Sequence, residues 1–133
     1  MKKLVLLFAF VVGVTVSWGQ YCLPTYSNDC TSGDMIDGFT IDTYSNLGTG
    51  CAFPGASNFS DYTGLGSVVT LIQSSTYNVT CAPGPSWGQY FAVWIDLNQD
   101  GDFDEANEFF DIGYAAAGVS ITTPITILCA SII

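Results

Sequence analysis

The sequence has 133 residues, 49% of them hydrophobic and 14% aromatic, with twelve Asp or Glu, no His, and only Lys2 and Lys3 as basic residues, giving a formal net charge of −10. Such a surface repels phosphate backbones and anionic headgroups, which argues against nucleic acid and membranes as partners. It also excludes Ser-His-Asp and Cys-His pairs, histidine metal ligands and an arginine clamp on phosphate, so paired carboxylates are the one acid/base device the composition leaves.

Lys2 and Lys3, the thirteen-residue apolar run "LVLLFAFVVGVTV" and the small residues Ser17 and Gly19 predict a secretory signal peptide over residues 1–19, cut before Gln20. The run falls short of the roughly 20 apolar residues that span a bilayer. The mature chain, residues 20–133, is therefore expected to be secreted or held at the cell surface, without membrane insertion after cleavage. Loss of both lysines takes its charge from −10 to −12. All five cysteines, Cys22, Cys30, Cys51, Cys81 and Cys129, lie in this part, where disulfides persist. Cys22 with Cys30, bracketing a short loop, is the expected pair, and Cys51 with Cys81 the second; the odd count leaves one without a mate.

Turn-rich stretches then punctuate the chain: "SNDCTSGD", "SNLGTG", "FPGASN", "TGLGS", "APGPSWG", "NQDGD" and "AAAG". Between them lie "MIDGFTI", "SVVTLI", "TYNVT", "QYFAVWI", "EFFDIGY" and "VSITTPITIL", rich in Val, Ile, Thr, Tyr and Phe. Short strands at this spacing predict a single all-β domain over residues 20–133, an antiparallel β-sandwich of jelly-roll or immunoglobulin-like type. "YFAVWI" is apolar throughout, which predicts a central strand covered on both faces, with Phe91 and Trp94 in the core.

Directly after that run comes "DLNQDGDFDEANE", residues 96–108. Asp96, Asn98, Asp100, Asp102 and Asp104 place oxygen ligands at alternate positions, with Gly101 sixth for the sharp turn, as at the start of a calcium-binding loop. Calcium takes six to eight oxygens, and Glu108 is positioned to close the sphere, one residue later than the usual Glu. A bare acidic turn is the competing reading, because Asp, Asn and Gly are turn formers. Calcium is preferred, because crowded carboxylates repel unless neutralised and the mature chain offers no basic side chain. The flanks read as strands, so the loop is expected at the tip of a β-hairpin.

The stretches "QYCLPTYSNDCTSGDMIDGFTI", Gly50–Cys51, "FSDYTG" and "VWIDLNQDGDFDEANE" together resemble the GEVED domain, a secreted module found mainly in Bacteroidetes. The Trp94–Phe103 string carries the resemblance most specifically. The resemblance implies a β-sandwich accessory domain of large exported proteins, with no established catalytic activity. Asp61 and Tyr62 match the family's Asp-Tyr motif, and Asp61 is a further candidate contact to the loop. The Gly-Glu-Val-Glu-Asp-Tyr motif itself is absent, and the ending "ITTPITILCASII" is read as a domain truncated at its C-terminus, with the sandwich incomplete there.

The function expected is that of a non-catalytic, calcium-stabilised extracellular module with a structural or adhesive role, meeting an extracellular protein or glycan. A carbohydrate-binding module is the alternative, with Trp87, Tyr90, Tyr62 and Tyr44 as stacking rings. A glycosidase using two carboxylates ranks third.

Overall fold

The computed structural model describes residues 30–51, 60–66, 69–103 and 106–128; the expected signal peptide, Cys22, Asp104, Cys129 and the chain's last residues lie outside these. Six strands follow in order: β1 (Ile36–Ile41), β2 (Tyr44–Leu47), β3 (Thr76–Pro83), β4 (Gln89–Trp94), β5 (Phe109–Ala115) and β6 (Ile121–Thr126). They form two antiparallel sheets, one ordered β2-β1-β3-β6 and the other a β4-β5 pair, as the all-β expectation requires.

The period-two pattern of β3 sends Val79, Cys81 and Pro83 inward and Thr76 and Asn78 outward. Its neighbour β6 contributes Ile125, and Ile127 follows just beyond the strand. From the opposite sheet Phe91, Ile112 and Ala115 meet them, with Ile41 of β1 completing the buried cluster. Fully burying one such aliphatic side chain is worth about 1.5–3 kcal/mol, so this cluster supplies the main cohesion between the sheets. Thr123 of β6 donates its hydroxyl to the Ile112 carbonyl of β5 at 2.7 Å, a polar stitch across the same junction. On the outer face, threonine hydroxyls meet in pairs at 2.8 Å, Thr76 with Thr126 and Thr80 with Thr122. Pro124 lies on β6, at the margin of the four-stranded sheet, where a residue without an N–H is tolerated.

Three expectations are corrected. First, "SVVTLI" forms no strand in its described part, residues 69–72. Val69 and Leu71 still pack on the core, but the Ile72 N–H donates to the Tyr77 hydroxyl at 2.8 Å instead of to a neighbouring strand. Second, β2 forms inside a segment whose composition reads as a turn. It is imposed by β1, through a two-residue connection in which Asp42 adopts a positive φ of 49°. Third, β4 has only β5 beside it and is not covered on both faces. Phe91 is buried as expected, whereas Trp94 is half exposed. A β-bulge interrupts the β4–β5 ladder between Phe91 and Ala92.

The disulfide also differs from both expected pairings. Cys30 bonds to Cys51, with Cα atoms 5.4 Å apart and a sequence separation of 21. The β1–β2 hairpin folds the chain back so that Gly50 donates its N–H to the Asp37 carboxylate at 2.8 Å and Thr49 to the Asp37 carbonyl at 3.0 Å. That return carries Cys51 to the short turn at Cys30–Ser32, which leads into β1. Cys81, on the inner face of β3, is a buried free thiol. Burial pushes its pKa from 9.0 up to about 11.

The replacement of Cys30 and Cys51 together by Ser is expected to cost about 3 kcal/mol, the chain-entropy value for a loop of this length, read from urea midpoints under non-reducing conditions. The Cys81 thiol contributes stability that is fully present below pH 9.0 and lost as the pH rises through about 11, because the unfolded chain ionises first. Urea midpoints followed through that window should fall more steeply for the parent protein than for Cys81→Ala; parallel curves would show that the thiol is not the cause.

Candidate metal loop

β4 and β5 are joined by residues 95–108, and the base of this loop is closed by Glu108. Its carbonyl accepts the Ile95 N–H at 3.0 Å, one step past the last ladder pair, Trp94 with Phe109. Its side chain turns inward and is only 1% exposed. Oε1 accepts the Leu97 N–H at 2.7 Å and, at a longer 3.4 Å, the Asn98 N–H. Oε2 is buried and has no hydrogen-bond partner among the described residues. A buried polar atom left in this state costs about 1–3 kcal/mol, more when it is charged.

Above that base the loop coils around its own acidic side chains. The Asp96 carboxylate accepts the Gln99 N–H at 2.5 Å through Oδ1 and the Gly101 N–H at 3.1 Å through Oδ2. Asn98 Oδ1 accepts the Asp100 N–H at 3.1 Å, and Asn98 Nδ2 donates to Asp100 Oδ2 at 2.8 Å. Asp100 Oδ1 in turn accepts the Asp102 N–H at 3.2 Å. Turns this tight need the left-handed region at two positions, Gln99 with φ 61° and Gly101 with φ 94°. The second is the glycine that the sequence pattern assigned to the sharp turn. Each carboxylate or amide oxygen has two lone pairs, so one N–H contact leaves it able to bind a cation.

Asp96, Asn98, Asp100, Asp102 and Glu108 therefore lie in one loop at the tip of one hairpin, as read from the sequence; Asp104 is outside the described residues. Among the described residues no three acidic or thiol side chains are already gathered closely enough to hold a metal. The donor set is thus arranged in sequence and in backbone, with Glu108 as the one carboxylate locked in a buried position. The spacing rule placed Glu108 one residue late. The structure supplies the signal that spacing lacks: a Glu directly preceding a strand that opens on the exposed Phe109, with its own carboxylate turned inward onto the amides of Leu97 and Asn98.

The other candidates separate from this loop. Asp61 is exposed and occupied locally, its Oδ1 accepting the Thr63 hydroxyl at 2.6 Å and the Thr63 N–H at 2.8 Å. These bonds, the hydroxyl's first, hold its carboxyl below the usual range. Tyr62 sits at the N-terminal end of the turn Thr63–Leu65. Trp87 donates its indole N–H to the Ser32 carbonyl at 3.0 Å, and Tyr44 packs against Phe39 with ring centroids 6.1 Å apart. Of the four rings considered for stacking, Tyr90 and Trp87 are open to solvent, 82% and 58% exposed.

No curated protein and no solved structure matches this chain. A model of the GEVED domain matches residues 90–131, which run from β4 through the acidic loop and β5 to beyond β6. That match takes in the hairpin that carries the acidic loop, together with β6.

Proposed function

We propose that this chain is a secreted, non-catalytic β-sandwich module whose β4–β5 hairpin is clasped by calcium, and that it serves a structural or adhesive role at the cell surface. The observation that carries the reading is the Glu108 carboxylate, buried at the base of an acidic loop with Oε2 unpartnered. Either a proton or a cation must compensate such an oxygen. In a chain with twelve acidic residues and basic ones only at positions 2 and 3, a strong counter-charge has to come from solution.

Asp96, Asn98, Asp100 and Glu108 would hold the ion through side chains, and Asp102 through its carbonyl. All are hard oxygen donors. A site built mainly from protein oxygens suits calcium over magnesium, which keeps several of its waters. The ion would offset the repulsion among the loop carboxylates and fix the hairpin tip relative to the core. The signal-like N-terminus supports export, and the lack of His and Arg supports a role without catalysis.

Calcium at about 100 times its Kd is expected to stabilise the protein by about 2.7 kcal/mol, raising the melting temperature by about 10 °C. Superimposable melts in calcium and in excess chelator would sink the reading. Glu108→Gln should abolish the calcium increment. In chelator the same variant should melt close to the parent's temperature, because the amide oxygen can still accept the Leu97 N–H.

A further inference from the structure

The outward face of the β4–β5 pair carries four aromatic rings in two pairs. Tyr90 and Tyr114 lie opposite each other, centroids 5.1 Å apart and planes tilted by 53°. Trp94 and Phe109 do the same at 5.2 Å and 56°. All are open to solvent, Tyr114 at 53%, Trp94 at 50% and Phe109 at 47%. Exposed apolar area gathered in this way marks an interaction site. Between the two pairs the ladder sets Ala92 opposite Asp111, and Asp111 is exposed. Four residue steps along the strand separate the α-carbons of Tyr90 and Trp94, a span of about 13 Å. The face is therefore a trough with aromatic walls, a small floor residue and one central carboxylate. The Tyr114 wall is seated over Gly88, where a Cβ would come within 2.8 Å of the ring's Cζ.

We propose that this face docks an extended basic segment of another protein, seating an Arg or Lys side chain on Asp111 between the Tyr90–Tyr114 and Trp94–Phe109 pairs. Charge complementarity selects this occupant. The chain's net charge of −10 turns away anionic partners and attracts cationic ones at long range. At short range the ring faces carry negative quadrupole potential, which favours a cation within about 6 Å of the centroid. A guanidinium can stack on a ring while its N–H groups pair with a carboxylate. Neutral sugars would use the rings but gain nothing from the net charge. The proposal stands whether or not calcium occupies the loop, which the melting experiment reads separately.

The test is titration of calcium-saturated protein with a fluorescent peptide, Gly-Ser-Arg-Ser-Arg-Ser-Gly, at low salt. Saturable binding is expected, weakened about tenfold by Asp111→Asn and by Trp94→Ala and falling steadily as salt rises from about 0.05 to about 0.5 M. Asp42→Asn removes one charge from the β1–β2 turn of the other sheet and should leave the affinity unchanged within about twofold, since this residue is not part of the aromatic face. Circular dichroism of each variant distinguishes loss of the face from loss of the fold, and Trp94→Phe, which keeps a ring, should retain most of the binding. Three results would overturn the proposal: no binding at millimolar peptide, an equal loss in Asp42→Asn, or salt-insensitive binding of a neutral β-glucan that Trp94→Ala abolishes. The last would assign the face to glycan instead.

Discussion

The Glu108 carboxylate joins the hairpin tip to the core, and the order of everything distal to it depends on that join. Its carbonyl accepts the Ile95 N–H and its Oε1 the Leu97 N–H, so both ends of the acidic loop are anchored by one residue. Directly next to it, Phe109 faces Trp94, and the following residues, Phe110 and Ile112, belong to the packed interior. A disturbance at Glu108 would reach the loop, the aromatic face and the sheet junction together. In a low-dielectric interior satisfied hydrogen bonds strengthen and unsatisfied ones become costly, and among the described residues the Glu108 side chain has one oxygen of each kind.

Electrostatics elsewhere in the chain follow from the lack of internal counter-ions. With basic side chains confined to positions 2 and 3, several carboxylates in the described residues are quieted by N–H and hydroxyl donors. Asp37 takes the Gly50 amide, Asp61 takes Thr63, Asp34 takes the Gln89 side chain and Asp96 takes two loop amides. The Asp61 and Asp96 contacts bend the chain locally, whereas those of Asp37 and Asp34 tie together segments 13 and 55 residues apart. The fold thus spends backbone amides where other proteins use lysine and arginine, and those amides become unavailable to extend strands.

Much of this architecture was legible in the sequence. Five of the six strands coincide with runs whose β-branched and aromatic residues announce them, and Gly101 marked the loop's sharp turn. What escaped depended on contacts between distant segments. β2 is built from Tyr44, Ser45, Asn46 and Leu47, a composition that reads as a turn until β1 pairs with it. Val69 and Leu71 made "SVVTLI" look like a strand, yet they serve the core from irregular backbone. Cys30 and Cys51 meet because a hairpin returns the chain to its start, whereas sequence spacing favoured nearer neighbours. The acidic loop was readable as a set of oxygens; that one of them is buried was not, because burial belongs to the packing of β4 and β5. Likewise "YFAVWI" gave no sign that its sheet has one inner face only, leaving Tyr90 and Trp94 outside.

The bulge between Phe91 and Ala92 carries a consequence for the aromatic face. Phe109 and Tyr114 stand five positions apart, an odd interval, and in an unbroken strand an odd interval sends side chains to opposite surfaces. The irregularity supplies the extra residue on β5, near Gly113, whose φ of 103° suits such a kink. It resets the parity of the strand, so Ile112 and Ala115 can both point inward while Phe109 and Tyr114 both point out. The chemistry of an entire surface is thereby encoded as a count, and the gain or loss of one residue would exchange aromatic rings for core aliphatics without altering a single side chain.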